Sequence, residues 1–144
     1  MRPRILALAN QLLFQEFTTG GEKLFVELAK RWCSKVALTI ITSKVGCDGL
    51  QKEGIDAHYI TIPTTVVDNV KLCQSHPFYI FLSYGLRTFR ALPIIAGKTD
   101  YDVIYTTGDF FCNTMPASLS KILNRDKKWI AVIHHINEVP GRRR

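Results

Sequence analysis

Two rhythms of apolar residues alternate along this chain. Ile5-Leu6-Ala7-Leu8-Ala9 is a continuous run, Val36 to Thr42 is a second and Trp129 to Ile133 a third. Short unbroken runs of that kind mark strands covered on both faces. His58-Tyr59-Ile60-Thr61-Ile62, closed by Pro63, and Asp102-Val103-Ile104-Tyr105, closed by Thr106-Thr107-Gly108, predict two more strands. In the gaps the spacing changes to that of helices. From Gly21 to Cys33, Leu24, Phe25, Leu28, Ala29 and Trp32 form one stripe, while Lys23, Glu27, Lys30 and Arg31 take the other face. A short helix is expected around Leu50 to Glu53, and a long one from Pro77 to Ala96 with Pro93 as a kink or early end. A fourth is expected from Met115 to Leu123 behind an Asn113 or Thr114 cap.

Strand and helix therefore alternate through residues 1–144, which predicts one α/β domain. Its expected form is an open, mostly parallel Rossmann-like sheet of about five strands with helices on both faces and right-handed crossovers. In such a sheet ligands collect at the carboxyl ends of the strands. The segments Asn10 to Gly21, Ser43 to Gly49, Pro63 to His76, Thr106 to Asn113 and His134 to Gly141 are expected on that edge.

Composition narrows the class. A length of 144 residues, 47% hydrophobic and 22% charged, suits one soluble globular domain and excludes disordered, collagen-like and coiled-coil classes. The net charge of +7 includes the terminal Arg142, Arg143 and Arg144, and the bases form no stripe among aromatics. Anionic ligands or a membrane surface are compatible with it, and nucleic acid is not expected. Cysteines at 33, 47, 73 and 112 form no C-x-x-C pair, so neither a metal nor a redox motif is predicted and the thiols read as reduced. Arg2 and Arg4 precede an apolar run too short for a secretory signal, so a cytoplasmic chain is expected.

Candidate chemistry lies on the edge loops. Gly20-Gly21 follows the first strand and opens the first helix, where unpaired N–H groups and the helix dipole favour an anion; the pair equally suits a tight turn. G-x-G-x-x-G, G-x-x-x-x-G-K-[ST] and G-x-S-x-G are all absent, which argues against a nicotinamide dehydrogenase, a P-loop protein and an α/β-hydrolase. His134 and His135 follow the last apolar run, which delivers at least one imidazole to the edge for a sugar hydroxyl or a reacting centre; otherwise one caps the strand and the other is solvated. Asp109 and Glu138 lie on edge loops far apart in sequence. The aromatic segment from Pro77 to Lys98 carries Arg87 and Arg90, which excludes a bilayer span. It packs on the sheet in the commoner reading and lies on an anionic membrane in the other.

In this order the motifs resemble the N-terminal domain of family 4 glycosyltransferases, of GT-B architecture. The resemblance runs through the first strand, Gly20-Gly21-Glu22, the helix from Lys23 to Arg31, Leu38 to Thr42, the Gly54-Ile55 turn, Tyr101 to Tyr105, and Ile130 to His134. It implies a transferase that moves a sugar from a nucleotide-sugar to a sugar or lipid-linked acceptor, with retention and without a metal or other cofactor. Gly20 and Gly21 then approach the donor diphosphate, and His134 lies beside the transferred sugar. Asn10, Thr107, Asp109 and His135 are the acceptor-side candidates. The chain departs from the family at Thr106-Thr107, where relatives often carry a histidine, and at Gly108-Asp109. The family's Glu-x7-Glu element belongs to a C-terminal nucleotide-binding domain, and only ten residues follow His134. The expectation is an acceptor-side half that works with that domain or with a split subunit, self-associates into dimers, and contacts a membrane peripherally at most. The rival expectation is a non-catalytic Rossmann-like module that binds an anionic ligand or a partner protein.

Overall fold

The computed structural model describes residues 2–12, 19–63 and 76–133. Strands β1 (Arg4–Ala9), β2 (Ala37–Ser43), β3 (His58–Ile62), β4 (Val103–Thr106) and β5 (Lys128–Ala131) alternate with helices α1 (Gly20–Trp32), α2 (Lys44–Lys52), α3 (Pro77–Gly97) and α4 (Phe111–Leu123). The strands form one sheet in the order β3-β2-β1-β4-β5, and every neighbouring pair is parallel. The molecule is thus the open α/β sheet that the alternation predicts.

Because side chains alternate across a strand, β1 feeds two cores. Ala7 and Ala9 join Leu38, Ile40 and Tyr105 beneath α1 (Phe25, Val26, Ala29) and Leu50 of α2. Leu6 and Leu8 join Ile41, Ile62 and Ile104 beneath α3 (Ala91, Ile95) and Ala117 of α4. Cover on both faces explains why β1 and β2 read as unbroken apolar runs. β5 does not share it. It is an edge strand in which Trp129 packs inward while Ile130 is 53% exposed, so the third run was a poor guide to burial.

Three boundaries differ from the sequence expectation, each for a local reason. α2 begins at Lys44, so residues 44–49 are helical rather than an edge loop. The Ser43 hydroxyl caps it by accepting from Gly46 N, and Cys47 and Leu50 face the core. α4 begins at Phe111 behind Phe110, and Asn113 is no cap: it is the third residue of the helix, and its Oδ1 accepts from Asn10 N just past the end of β1. α3 runs through Pro93, which sits on its exposed side, where water can satisfy the carbonyl that loses its donor.

The turn after α2 was legible. Gly54 has φ +77°, its N–H donates to the Gln51 carbonyl at 2.9 Å, and Ile55 N donates to the Leu50 carbonyl at 3.2 Å. That is a Schellman ending, with Ile55 and Leu50 both buried in the core below α1.

Candidate functional site

The chain leaves β1 toward β2 on one side, and β4 lies on the other side of β1, which makes the β1–β4 seam the switch point of the sheet. Residues Asn10 to Leu12 turn off β1 there, and Thr107 follows β4. Thr107 N and its hydroxyl both donate to the Leu8 carbonyl, at 3.1 and 3.0 Å.

Around that seam a buried polar knot forms. Asn10 N donates to Asn113 Oδ1 at 2.8 Å, and Asn10 Nδ2 donates to the Cys112 carbonyl at 2.9 Å. Gln11 Nε2 donates to the Thr107 hydroxyl at 2.6 Å, while Gln11 Oε1 accepts from Asn113 Nδ2 at 2.5 Å. The Tyr84 hydroxyl donates to the Gln11 carbonyl at 3.2 Å, and Ser43 Oγ to the Leu12 carbonyl at 2.9 Å. From α3, one Arg87 nitrogen donates to the carbonyls of Asn10 and Leu12 at 2.8 and 2.9 Å. Asn10, Asn113, Thr107 and Arg87 are all buried. The turn after β1 is therefore held by residues from β2, α3 and α4 and by Thr107, which follows β4. Buried polar groups of this kind are costly unless paired, and here pairing converts them into a rigid platform.

Two acceptors escape that pairing. Asn10 Oδ1 and Thr106 Oγ1 are buried and find no hydrogen-bond partner among the described residues. The knot is built from neutral amides and hydroxyls, with one buried guanidinium, and offers hydrogen bonds rather than a nucleophile. Cys112 is no exception, because burial pushes its thiol up to about 12, far from the thiolate form. Cys33 and Cys47 are likewise raised, mainly by burial.

The start of α1 is organised differently from the plain glycine turn. Thr19 is the N-cap; its hydroxyl accepts from Glu22 N at 3.3 Å, and the Glu22 carboxylate accepts from Thr19 N at 3.0 Å. This capping box was present in the sequence as Thr-x-x-Glu and went unread. It places a carboxylate in the first turn. A Cβ on Gly20 would meet nothing within 4 Å, whereas one on Gly46 would lie 2.3 Å from Thr42 Oγ1 and 2.9 Å from Leu12 Cβ. The close backbone approach at this edge belongs to Gly46.

Of the predicted site residues, the structure brings Asn10 and Thr107 together at the seam and leaves Asp109 partly exposed on the loop that follows. Gly20 and Gly21 form the first turn of α1 on the same edge. His134 and His135, with Glu138, lie outside the described residues. Gln11, Arg87 and Asn113 were missed. Arg87 had a signal, since it falls on the inward stripe of α3 with Ser83, Tyr84, Thr88, Ala91 and Ile95. No cluster of metal ligands occurs among the described residues.

Fold and edge together define a Rossmann-like α/β domain whose switch point is held by buried amides and hydroxyls. Against protein-family models, curated proteins and solved structures the chain finds no match.

Proposed function

We propose that this is the acceptor-side half of a cytoplasmic glycosyltransferase, which moves a sugar from a nucleotide-sugar to an acceptor with retention and works with a C-terminal nucleotide-binding domain or a subunit that carries one. The observation behind this reading is the buried knot of Asn10, Gln11, Thr107 and Asn113 at the switch point. A polyhydroxylated substrate needs a rigid edge to bind against; the knot, bonded within itself, fixes the backbone of that edge, and Asn10 Oδ1 and Thr106 Oγ1 are the polar atoms beside it that no described residue pairs. In this reading Asn10, Thr107, Asp109 and His135 serve the acceptor. His134 stands beside the transferred sugar, and the N–H groups of Gly20 and Gly21 approach the donor diphosphate.

The test is made on the chain joined to a C-terminal domain of the GT-B kind. Nucleotide-sugar turnover is expected, and His134→Ala should lower it far more than it lowers the melting temperature. Absence of nucleotide-sugar binding by calorimetry would overturn the reading.

One observation favours the rival, a non-catalytic binding module: the Glu22 carboxylate stands in the turn where the diphosphate would bind. Glu22→Gln tests whether a diphosphate binds at this turn. Gln keeps the capping box and removes the charge, so a diphosphate at this terminus should bind several-fold more tightly to the variant, by roughly 0.3–1 kcal/mol. Unchanged affinity would assign Gly20-Gly21 to the turn alone.

A further inference from the structure

We propose that the outer faces of α3 and α4 form a membrane-docking surface that rests on anionic lipid and presents the carboxyl edge of the sheet to the bilayer interface. This rests on the glycosyltransferase reading only for its consequence, a lipid-linked acceptor.

Both helices are apolar on their outer as well as their inner sides, and they bury polar residues beside Tyr84, Ala91, Ile95, Cys112 and Ala117. α3 turns Ser83, Arg87 and Thr88 inward to near-complete burial, while Phe78, Phe81 and Phe89 are 69%, 63% and 71% exposed, with Leu82 on the same side. α4 buries Asn113 and Ser120 and exposes Met115, Ile122 and Leu123. A helix facing water on its outer side carries charged and polar residues there instead. The two helices are neighbours: buried Tyr84 of α3 packs against Phe110 and Phe111 at the start of α4, at ring distances of 5.6 and 6.2 Å. On α3 the exposed Phe78, Phe81, Leu82 and Phe89 share one helical face, and exposed apolar surface of that kind marks an interaction site.

Charge selects the occupant. Neither α3 nor α4 contains an Asp or Glu; their charges are Arg87, Arg90 and Lys121. On the opposite face of the sheet, α1 and α2 mix Glu22, Glu27 and Asp48 with lysines and an arginine. Two copies joined through α3 and α4 would set cations against cations with no acid on either helix to pair them. Arg90 donates to the Pro63 carbonyl and Lys121 to those of Arg125 and Lys127, and neither meets an acid among the described residues; anionic headgroups supply the counter-charge while the phenylalanines enter the acyl boundary. None of the described helices is long and apolar enough to cross a membrane, so the helices lie in the plane of the interface.

Orientation links this surface to the site. α3 and α4 follow β3 and β4 in a parallel sheet, so both begin at the carboxyl edge. Phe78, Phe81, Phe110 and Met115 thus stand at the same end of the molecule as Asn10, Thr107 and Asp109.

The experiment is co-sedimentation of the full chain with vesicles of phosphatidylcholine mixed with phosphatidylglycerol, and with phosphatidylcholine alone. Binding is expected on the mixed vesicles, weaker on the neutral ones, and weakened by salt. Phe81→Glu with Phe89→Glu should lower the partition coefficient by roughly a hundredfold, and Phe81→Ser with Phe89→Ser is read in parallel so that a misfolded variant, detected by its melting curve, does not decide the result. Leu24→Glu on α1 should change nothing. The proposal is overturned if the chain ignores mixed vesicles, if folded variants bind as the parent does, or if the lipid-free chain is a dimer that these substitutions split. Vesicle binding needs no donor, so a chain that docks without transferring sugar sinks the transferase reading alone. An active enzyme on water-soluble acceptors that ignores vesicles sinks the docking alone.

Discussion

Arg87 carries the polar knot further than any other residue. Its guanidinium is buried and reaches two carbonyls of the turn after β1. Arg87→Met keeps the volume and strands both acceptors, so unfolding by denaturant should show a loss of about 2–4 kcal/mol. At the opposite edge, Arg4 binds Asp102 through its own N–H at 2.9 Å and its guanidinium at 2.8 Å, and these hydrogen bonds hold the carboxyl at about 2. A depressed carboxylate stabilises the fold above its unfolded pKa and stops doing so as pH falls through its folded one. The gain from Asp102 is therefore complete above about pH 4, and Asp102→Asn should melt below the parent at neutral pH with a difference that vanishes near pH 2. Both groups are exposed, so the effect is small. Thiol titration gives a third check: Cys112 should react with a disulfide reagent only on unfolding, given its burial and raised pKa.

Among the elements, α2 concentrates the close contacts. Its first turn approaches β1 so nearly that Gly46→Ala would press a methyl group on Thr42 and Leu12. The expected loss is about 1–3 kcal/mol, visible in chemical denaturation, together with a displaced turn at Asn10 to Leu12. Its last turn needs the left-handed backbone of Gly54, where Ala costs about 1–2 kcal/mol. Gly20 lacks both constraints. Gly20→Ala should therefore leave the melting temperature within a degree or two of the parent, by the small differences typical of surface changes.

At the scale of the whole molecule, the sheet of the described residues ends on β5, which pairs there with β4 alone and exposes Ile130, with Ile133 exposed just beyond it. An open apolar edge is a template for pairing with another chain. Ile130→Lys should lower concentration-dependent association in sedimentation without lowering the melting temperature. If the association survives that change, another surface carries it.

Element order, sheet type and the helical face of α1 were determined by the sequence, because they depend on local periodicity: runs of apolar residues for strands covered twice, a three-and-four spacing for helices. The Gly54 turn and the edge positions of Asn10 and Thr107 belong to the same local information. Tertiary structure alone decided the rest. Asn113 reads as a helix cap until β1 comes beside α4, and Arg87, though its spacing puts it on one stripe with Tyr84, Ala91 and Ile95, gains its two carbonyl partners only when α3 lies on the turn after β1. Gly46 reads as loop until α2 lies on Leu12. A residue's partners across the fold are set by which elements pack together, and no spacing within one element records that.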